Sequence, residues 1–381
     1  MCRKIMILYL FIIIFICSAG NIGSADLKTY STEKLVLKTD LPKQFSDLFL
    51  EYSESYLNVM YNFAAELRND YPDWKADITV YSDCREYAEI LKKKGNTKSP
   101  LLFHSEGKLW NRPVLSACYS SPKFFLSSFR HSSAEKIAAK LPYSLRQAVS
   151  IYAENSIFIA DDAYTVHQMN DLYLLRISEA KEIPKLSDFL KSGKKEWKKN
   201  REIYFPYAWA LSVYIIDYSR EGKNLFKTPE KISSLETDFK AWLSSLKFPA
   251  GYDFYLEYRE KNVFTEKKKT LLLALEQNPD SCIYNKALSD IHLGEQNWKE
   301  SLFYAERTLL FNFTDTGAVL NALKSSIRLQ EYGKAEYYLF LMDSWKKSFT
   351  ERENFSQEIS RWRRRNSDAK YFGPELIFWE K

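Results

Sequence analysis

The chain has 381 residues, 45% hydrophobic and 16% aromatic, with 55 Lys+Arg against 49 Asp+Glu and a formal net charge of +6. That length allows two or three domains of about 100 to 200 residues, and the interspersed charges argue against a dedicated nucleic-acid binder, which would concentrate its cations. With eleven glycines and no Gly-rich phosphate loop, a nucleotide enzyme is set aside as well.

The opening residues, MCRKIMILYLFIIIFICSAGNIGSA, place Arg3 and Lys4 ahead of an apolar run from Ile5 to Ile16, followed by small residues. This order reads as a secretory signal peptide, since the run falls short of the roughly 20 residues a membrane-spanning helix needs. Cleavage is expected after Ala25, with Gly23 and Ala25 at the −3 and −1 positions. Two alternatives stay open: lipidation of Cys17, or an uncleaved signal, either of which would attach the chain to a membrane. The exported part keeps Cys84, Cys118 and Cys282, an odd number without metal-type CxxC spacing. They are expected to be small core thiols, with a single disulfide pair as the alternative.

The first strand is expected in KLVLKT, Lys34 to Thr39. A long helix follows, with Phe45, Leu48, Phe49, Tyr52, Tyr56, Val59, Met60, Phe63 and Leu67 recurring at three and four. ADITVYSD, from Ala76 to Asp83, alternates as a strand, and Asp83 is suited to N-cap the helix CREYAEILKKK. LLFH from Leu101 and VLSACY from Val114, with a turn at Glu106 and Gly107, predict a hairpin beside these strands. Helices are expected after Pro122 and near Pro142, where proline suits the first turn. Further helices are expected in LSDFLKSGKKEW from Leu186, FPYAWALSVYIIDYS from Phe205 and SSLETDFKAWLSSL from Ser233 to Leu246. The Tyr207-Ala-Trp209 face reads as core. The basic clusters at Lys92–Lys94, Lys194–Arg201, Lys267–Lys269 and Arg361–Arg365 read as solvated helix faces, with docking to an anionic lipid or polymer as the alternative.

Beyond residue 250 the pattern becomes periodic. Trp298 and Tyr332 lie 34 residues apart, as do Ser301 and Ala335, within NWKESLFYAE and EYGKAEYYLF. This is the tetratricopeptide period, in which an aromatic residue and a small residue three positions later share one helix face against a neighbour. One period earlier, Phe264 opens FTEKKKTLLLALEQNP, with Ala274 and Pro279 at the late Ala and terminal Pro of this repeat type. Lys267, Ser289 and Leu323 depart from it. The stretch from Glu351 to Arg365 is expected to be a polar capping helix, with YFGPELIFWEK docking back.

Residues 131–135 read HSSAE. A zinc-peptidase HExxH helix needs imidazoles at i and i+4 facing one Zn²⁺, and a Glu beside the first to take a proton from the bound water. Here His131 is present, Ser132 stands at the Glu position and Glu135 at the second His. His131 and Glu135 are spaced for an i+4 hydrogen bond. His104, His167 and His292 lie far away in sequence. Glu154 reads either as a cleft carboxylate or as a solvated helix residue.

Together these elements resemble a secreted peptidase-MA-like (gluzincin) domain across Leu35–Leu246. In such domains a strand, long helix, strand and hairpin precede the HExxH helix, and a sentence like LPxWLNEGLAEYxE follows it. LPYSLRQAVSIYAE matches with Leu141, Pro142, Leu145, Tyr152 and Glu154, and FPYAWALSVYIID resembles the later YAQAWALVHFL helix. The resemblance implies that Gln147 takes the place of the third zinc ligand, a neutral amide for a carboxylate. His131, Ser132, Glu135 and Gln147 are therefore the degenerate catalytic positions, and His131, Glu135 and Glu154 the remnant metal candidates.

The expected fold is α+β and mostly α: a small N-terminal sheet with the helices of a gluzincin-like domain over 26–250, then an α-solenoid of tetratricopeptide-like pairs over 251–381. The expected function is a secreted or periplasmic, catalytically inactive peptidase-like protein that binds or scaffolds a protein or peptide in the bacterial envelope. It is expected to use no cofactor and no nucleic acid. One alternative is an active zinc-dependent hydrolase with a rearranged site, and another an envelope-assembly component that binds partners through its repeats.

Overall fold

The computed structural model describes residues 27–366 apart from 69–73, 96–102, 107–111, 120–121, 160–163, 168–169, 220–227, 249, 313–314 and 345–347. The expected signal peptide, Cys17, the Gly107 turn and the closing YFGPELIFWEK lie outside the described residues. The chain is α+β and mostly α, with a five-stranded sheet near its N-terminus. Among the described residues no helix is long and apolar enough to cross a membrane.

Strands β1 (Lys28–Ser31) and β2 (Leu35–Thr39) pair antiparallel, and α1 (Lys43–Arg68) crosses to β3 (Ala76–Tyr81), parallel to β2. Helix α2 (Cys84–Lys93) leads through β4 (His104–Glu106) to β5 (Val114–Cys118), which lies parallel to β3 and antiparallel to β4. Asp83 caps α2 as its position predicts, accepting hydrogen bonds from the Arg85 and Glu86 amides at 2.8 and 3.3 Å. Strand alternation divides the sheet between two layers. Leu37, Ile78, Val80, Leu115 and Ala117 face a core shared with Phe45 and Phe49 of α1. Tyr81, Ser116 and Cys118 face the other way, where Tyr87 of α2 stacks on Tyr81 at 4.8 Å and meets the Ser116 hydroxyl at 2.8 Å.

Helices α3 (Pro122–Ile137) and α4 (Tyr143–Glu154) begin at Pro122 and just after Pro142, as those prolines predict. The hairpin β6 (Ser156–Ile159) and β7 (Tyr164–His167) and helix α5 (Asp171–Ser178) come next, and the residue pattern predicts none of them. The helix expected from Leu186 is two, α6 (Leu186–Lys191) and α7 (Lys194–Lys199), broken at Ser192 and Gly193. Helix α8 (Arg201–Val213) starts at Arg201 rather than Phe205 and contains Pro206. Every residue from Pro206 to Val213 is buried, so tertiary packing holds the helix despite the hydrogen bond proline cannot donate. A π-turn over Tyr214–Tyr218 extends it, and a 3₁₀ stretch over Pro229–Leu235 introduces α9 (Glu236–Ser245).

The remaining helices are α10 (Tyr252–Glu260), α11 (Phe264–Gln277), α12 (Cys282–Gly294), α13 (Trp298–Phe311), α14 (Thr316–Arg328), α15 (Tyr332–Ser344) and α16 (Arg352–Arg365). Phe264, Trp298 and Tyr332 open helices at intervals of 34 residues, and so do Cys282 and Thr316. The connections keep the same interval. Ser281 and Asp315 each cap the next helix by accepting an amide hydrogen bond, Asn278 and Asn312 each end the one before, and Gln296 and Gln330 each adopt a left-handed conformation at φ 60° and 62°. Ala274, Ser301 and Ala335 are fully buried, and the Ser289 and Ser301 hydroxyls each donate to the other's carbonyl, at 3.0 and 3.1 Å. Small side chains at these points let the helices approach closely.

Gly251 precedes α10 at φ +84°, and a Cβ there would lie 2.5 Å from the Ala274 carbonyl oxygen. Gly251→Ala is therefore expected to lower the unfolding free energy by about 2 kcal/mol, measured by urea denaturation, since left-handed backbone and a backbone contact both resist the methyl group.

The expectation that all three cysteines are core thiols is corrected in part. Cys84 and Cys118 form a disulfide with Cα atoms 5.1 Å apart, and of these three Cys282 alone is free, buried in α12. The topology explains the pairing: Cys118 lies beside Tyr81 in the ladder, and Cys84 opens the helix just after that strand. The bridge belongs to a second core in which Cys84, Tyr87, Leu91 and Cys118 meet Leu302, Val319, Leu323, Tyr338 and Ile359. The outer face of the sheet thus packs on the C-terminal helices.

Candidate functional site

The residues singled out by the HExxH comparison lie along the seam between α3 and α4, which run antiparallel. His131 Nδ1 lies 2.8 Å from Glu154 Oε2, both side chains about a fifth exposed at 23% and 21%. Toward the connecting loop, the Gln147 amide donates to Glu135 Oε1 at 2.9 Å, and Arg146 Nε lies 3.9 Å from the same oxygen. The anticipated His131–Glu135 pair is therefore corrected. The two share one helix, but each turns to a partner on α4, because the interhelical seam offers a carboxylate to one and an amide to the other.

Ser132 is occupied elsewhere. Its hydroxyl donates to the Phe103 carbonyl at 3.0 Å, and one turn earlier the Ser128 hydroxyl accepts from the Phe103 amide at 2.9 Å. The residue at the catalytic Glu position thus helps fix the chain entering β4. Arg130, which the motif comparison passed over, anchors the far end of the seam. Its guanidinium donates to the Ala153 carbonyl at 2.9 Å, the Glu154 carbonyl at 3.2 Å and the Tyr52 hydroxyl at 2.9 Å. A cation on the last carbonyls of α4 suits the helix dipole and orients Glu154. Its only signal in sequence is a basic residue directly before His131.

Burial pushes the proton affinity of His131 down. The hydrogen bond and charge of Glu154, and the charge of Glu135, outweigh that and Arg201's repulsion, so its pKa is raised above the ordinary 6.5. A raised folded-state pKa gives stability that is fully present below the unfolded value and lost as pH rises through the folded one. Glu154→Gln is accordingly expected to cost about 1 kcal/mol in mildly acidic buffer and much less in alkaline buffer, read as the pH dependence of urea midpoints.

The rings of His104 and His292 lie elsewhere. His104 is buried on β4 with its ring 6.0 Å from Tyr87, on the opposite sheet face, and His292 lies against Tyr304 on α12 at 5.5 Å. His167 belongs to β7. Tyr207 and Trp209 are fully buried, in keeping with the core reading. Near the same C-terminal end of α4, Tyr152 donates to Asp217 Oδ1 at 3.0 Å within the π-turn, a contact no motif anticipated.

The donor set does not fit a catalytic zinc of the gluzincin kind. One imidazole is present, its Nδ1 faces a carboxylate, and the second carboxylate holds an amide. Among the described residues no group of three His, Cys, Asp or Glu side chains is placed to hold a metal. What the seam offers chemically is one partly exposed ion pair that can exchange a proton, without an adjacent activated nucleophile. No family model, curated protein or solved structure matches the chain.

Proposed function

We propose that the chain is a secreted, catalytically inactive peptidase-like protein of the bacterial envelope that binds a protein or peptide, with the α3–α4 cleft and the tetratricopeptide-like helices forming one binding body. The observation that carries this reading is the mutual use of the former catalytic positions: His131 with Glu154, Glu135 with Gln147 and Ser132 with Phe103. Groups engaged in this way support a framework more readily than a hydrolytic cycle. The Cys84–Cys118 bridge is in keeping with an oxidising compartment outside the cytoplasm. The 34-residue recurrence of helix starts, caps and left-handed turns supports a stacked array that offers a peptide surface.

Purified chain incubated with zinc and then desalted is expected to retain substoichiometric metal, to leave casein intact and to capture peptides from a library. Stoichiometric zinc with chelator-sensitive cleavage that His131→Ala abolishes would instead establish the rearranged hydrolase. Envelope assembly through the repeats is tested by surface substitutions on α12 and α14. Truncation after residue 263 would strip one side from the core around the disulfide.

A further inference from the structure

The strongest concentration of charge near the seam lies on α6, α7 and the start of α8. Lys191, Lys194, Lys195, Lys198, Lys199 and Arg201 are all exposed, and among the described residues none of them forms an ion pair. Three acidic residues share this stretch: Asp188 and Glu202 flank the cations, and between them Glu196 is engaged, its carboxylate accepting from the Gly193 amide at 3.1 Å. Arg201 is held in place over the Phe205 ring at 4.9 Å.

These cations stand on a fixed platform. Trp197 is buried, donates from its indole to the Ser192 hydroxyl at 3.0 Å, and packs on Tyr143, Phe189, Tyr204 and Phe205 at 5.5 to 5.8 Å between ring centroids. With the tryptophan locked inward, the lysines of this short helix are displayed to solvent in a set arrangement. The platform adjoins the seam: the Ser144 hydroxyl of α4 donates to the Leu190 carbonyl of α6 at 2.8 Å, and the charge of Arg201 acts on both His131 and Tyr173.

Cations held in a fixed array raise the local concentration of an anionic ligand and select for it. We infer that this platform beside the seam takes an acidic peptide segment, whose carboxylates lie against the Lys191–Arg201 rim. This rests on the peptide-binding reading above and narrows it to one chemistry. A bilayer suits the rim less well, since no large apolar side chain between residues 186 and 204 is exposed to insert. A nucleic acid would want exposed rings to stack on, and the aromatic side chain of this platform is turned inward.

The test uses the full exported chain with a fluorescent Glu/Asp-rich peptide, a neutral peptide of equal length, and vesicles of phosphatidylglycerol with phosphatidylcholine. The acidic peptide is expected to bind best, to weaken with salt, and to lose about tenfold in affinity in the variant Lys194→Glu/Lys195→Glu/Lys198→Glu. These three side chains are exposed, so an unchanged thermal midpoint is the control for folding. Equal binding of the neutral peptide, or an acidic-peptide affinity indifferent to the triple variant, overturns the acidic preference and leaves a peptide cleft standing. Tighter binding to the anionic vesicles than to the acidic peptide overturns it in favour of a membrane. Failure to bind any peptide removes the cleft reading itself.

Discussion

Glu336→Ala is expected to destabilise the protein by about 3 kcal/mol, because it removes the shared partner of two guanidinium groups at a buried position. Glu336 on α15 is 5% exposed and is hydrogen-bonded by Arg85 of α2 and by Arg363 of α16. One carboxylate therefore ties the helix behind the sheet to the last two described helices of the chain. Without it the two cations face each other across a partly apolar seam, and Arg363 is itself only 24% exposed. Glu336→Gln keeps the volume and one acceptor oxygen, so its expected loss is roughly half as large. Urea unfolding followed both by far-ultraviolet circular dichroism and by tryptophan fluorescence checks this. A single transition shifted equally in both signals supports a shared core. Two separated transitions would mean that the sheet with its helices and the C-terminal helices unfold independently.

Much of the architecture could be read from local pattern, and the reasons are visible in particular residues. The alternation in ADITVYSD gives β3, Asp83 caps the next helix, and Pro122 and Pro142 set two helix starts, because each signal acts within a few residues of its cause. Strand β1, with four residues reading KTYS and only Tyr30 partly buried, is too short and polar to show alternation. The caps at Ser281 and Asp315 also recur every 34 residues, but two residue types perform that one role, so no letter repeats there; the left-handed turns at Gln296 and Gln330 do keep the same residue.

The candidate site was legible in composition but not in partnership. His131, Glu135, Gln147 and Glu154 all fall on one seam, yet the i+4 rule pairs only residues of the same helix, so it assigns Glu135 to His131. The observed partner lies 23 residues on and becomes adjacent only once α3 and α4 pack. Ser132 is likewise fixed by the Phe103 carbonyl, across the sheet edge, which no spacing rule on α3 can supply.

Replacing both Cys84 and Cys118 by serine is expected to lower stability by about 3 to 4 kcal/mol, the loop-closure entropy for a bridge spanning 34 residues. The bridge closes the segment from the start of α2 through β4 to the end of β5, so its removal frees that whole stretch in the unfolded chain. It also borders the contacts Leu91, Val319, Leu323 and Tyr338 make in the second core, where a serine hydroxyl would find apolar surroundings. A reductant is expected to reproduce most of the loss in the unaltered protein and to have little effect on the double variant. Comparing urea midpoints of the two proteins with and without reductant checks this. Equal sensitivity in both would refute a stabilising bridge, whereas selective sensitivity of the unaltered chain would mean that the fold depends on oxidation of these two thiols.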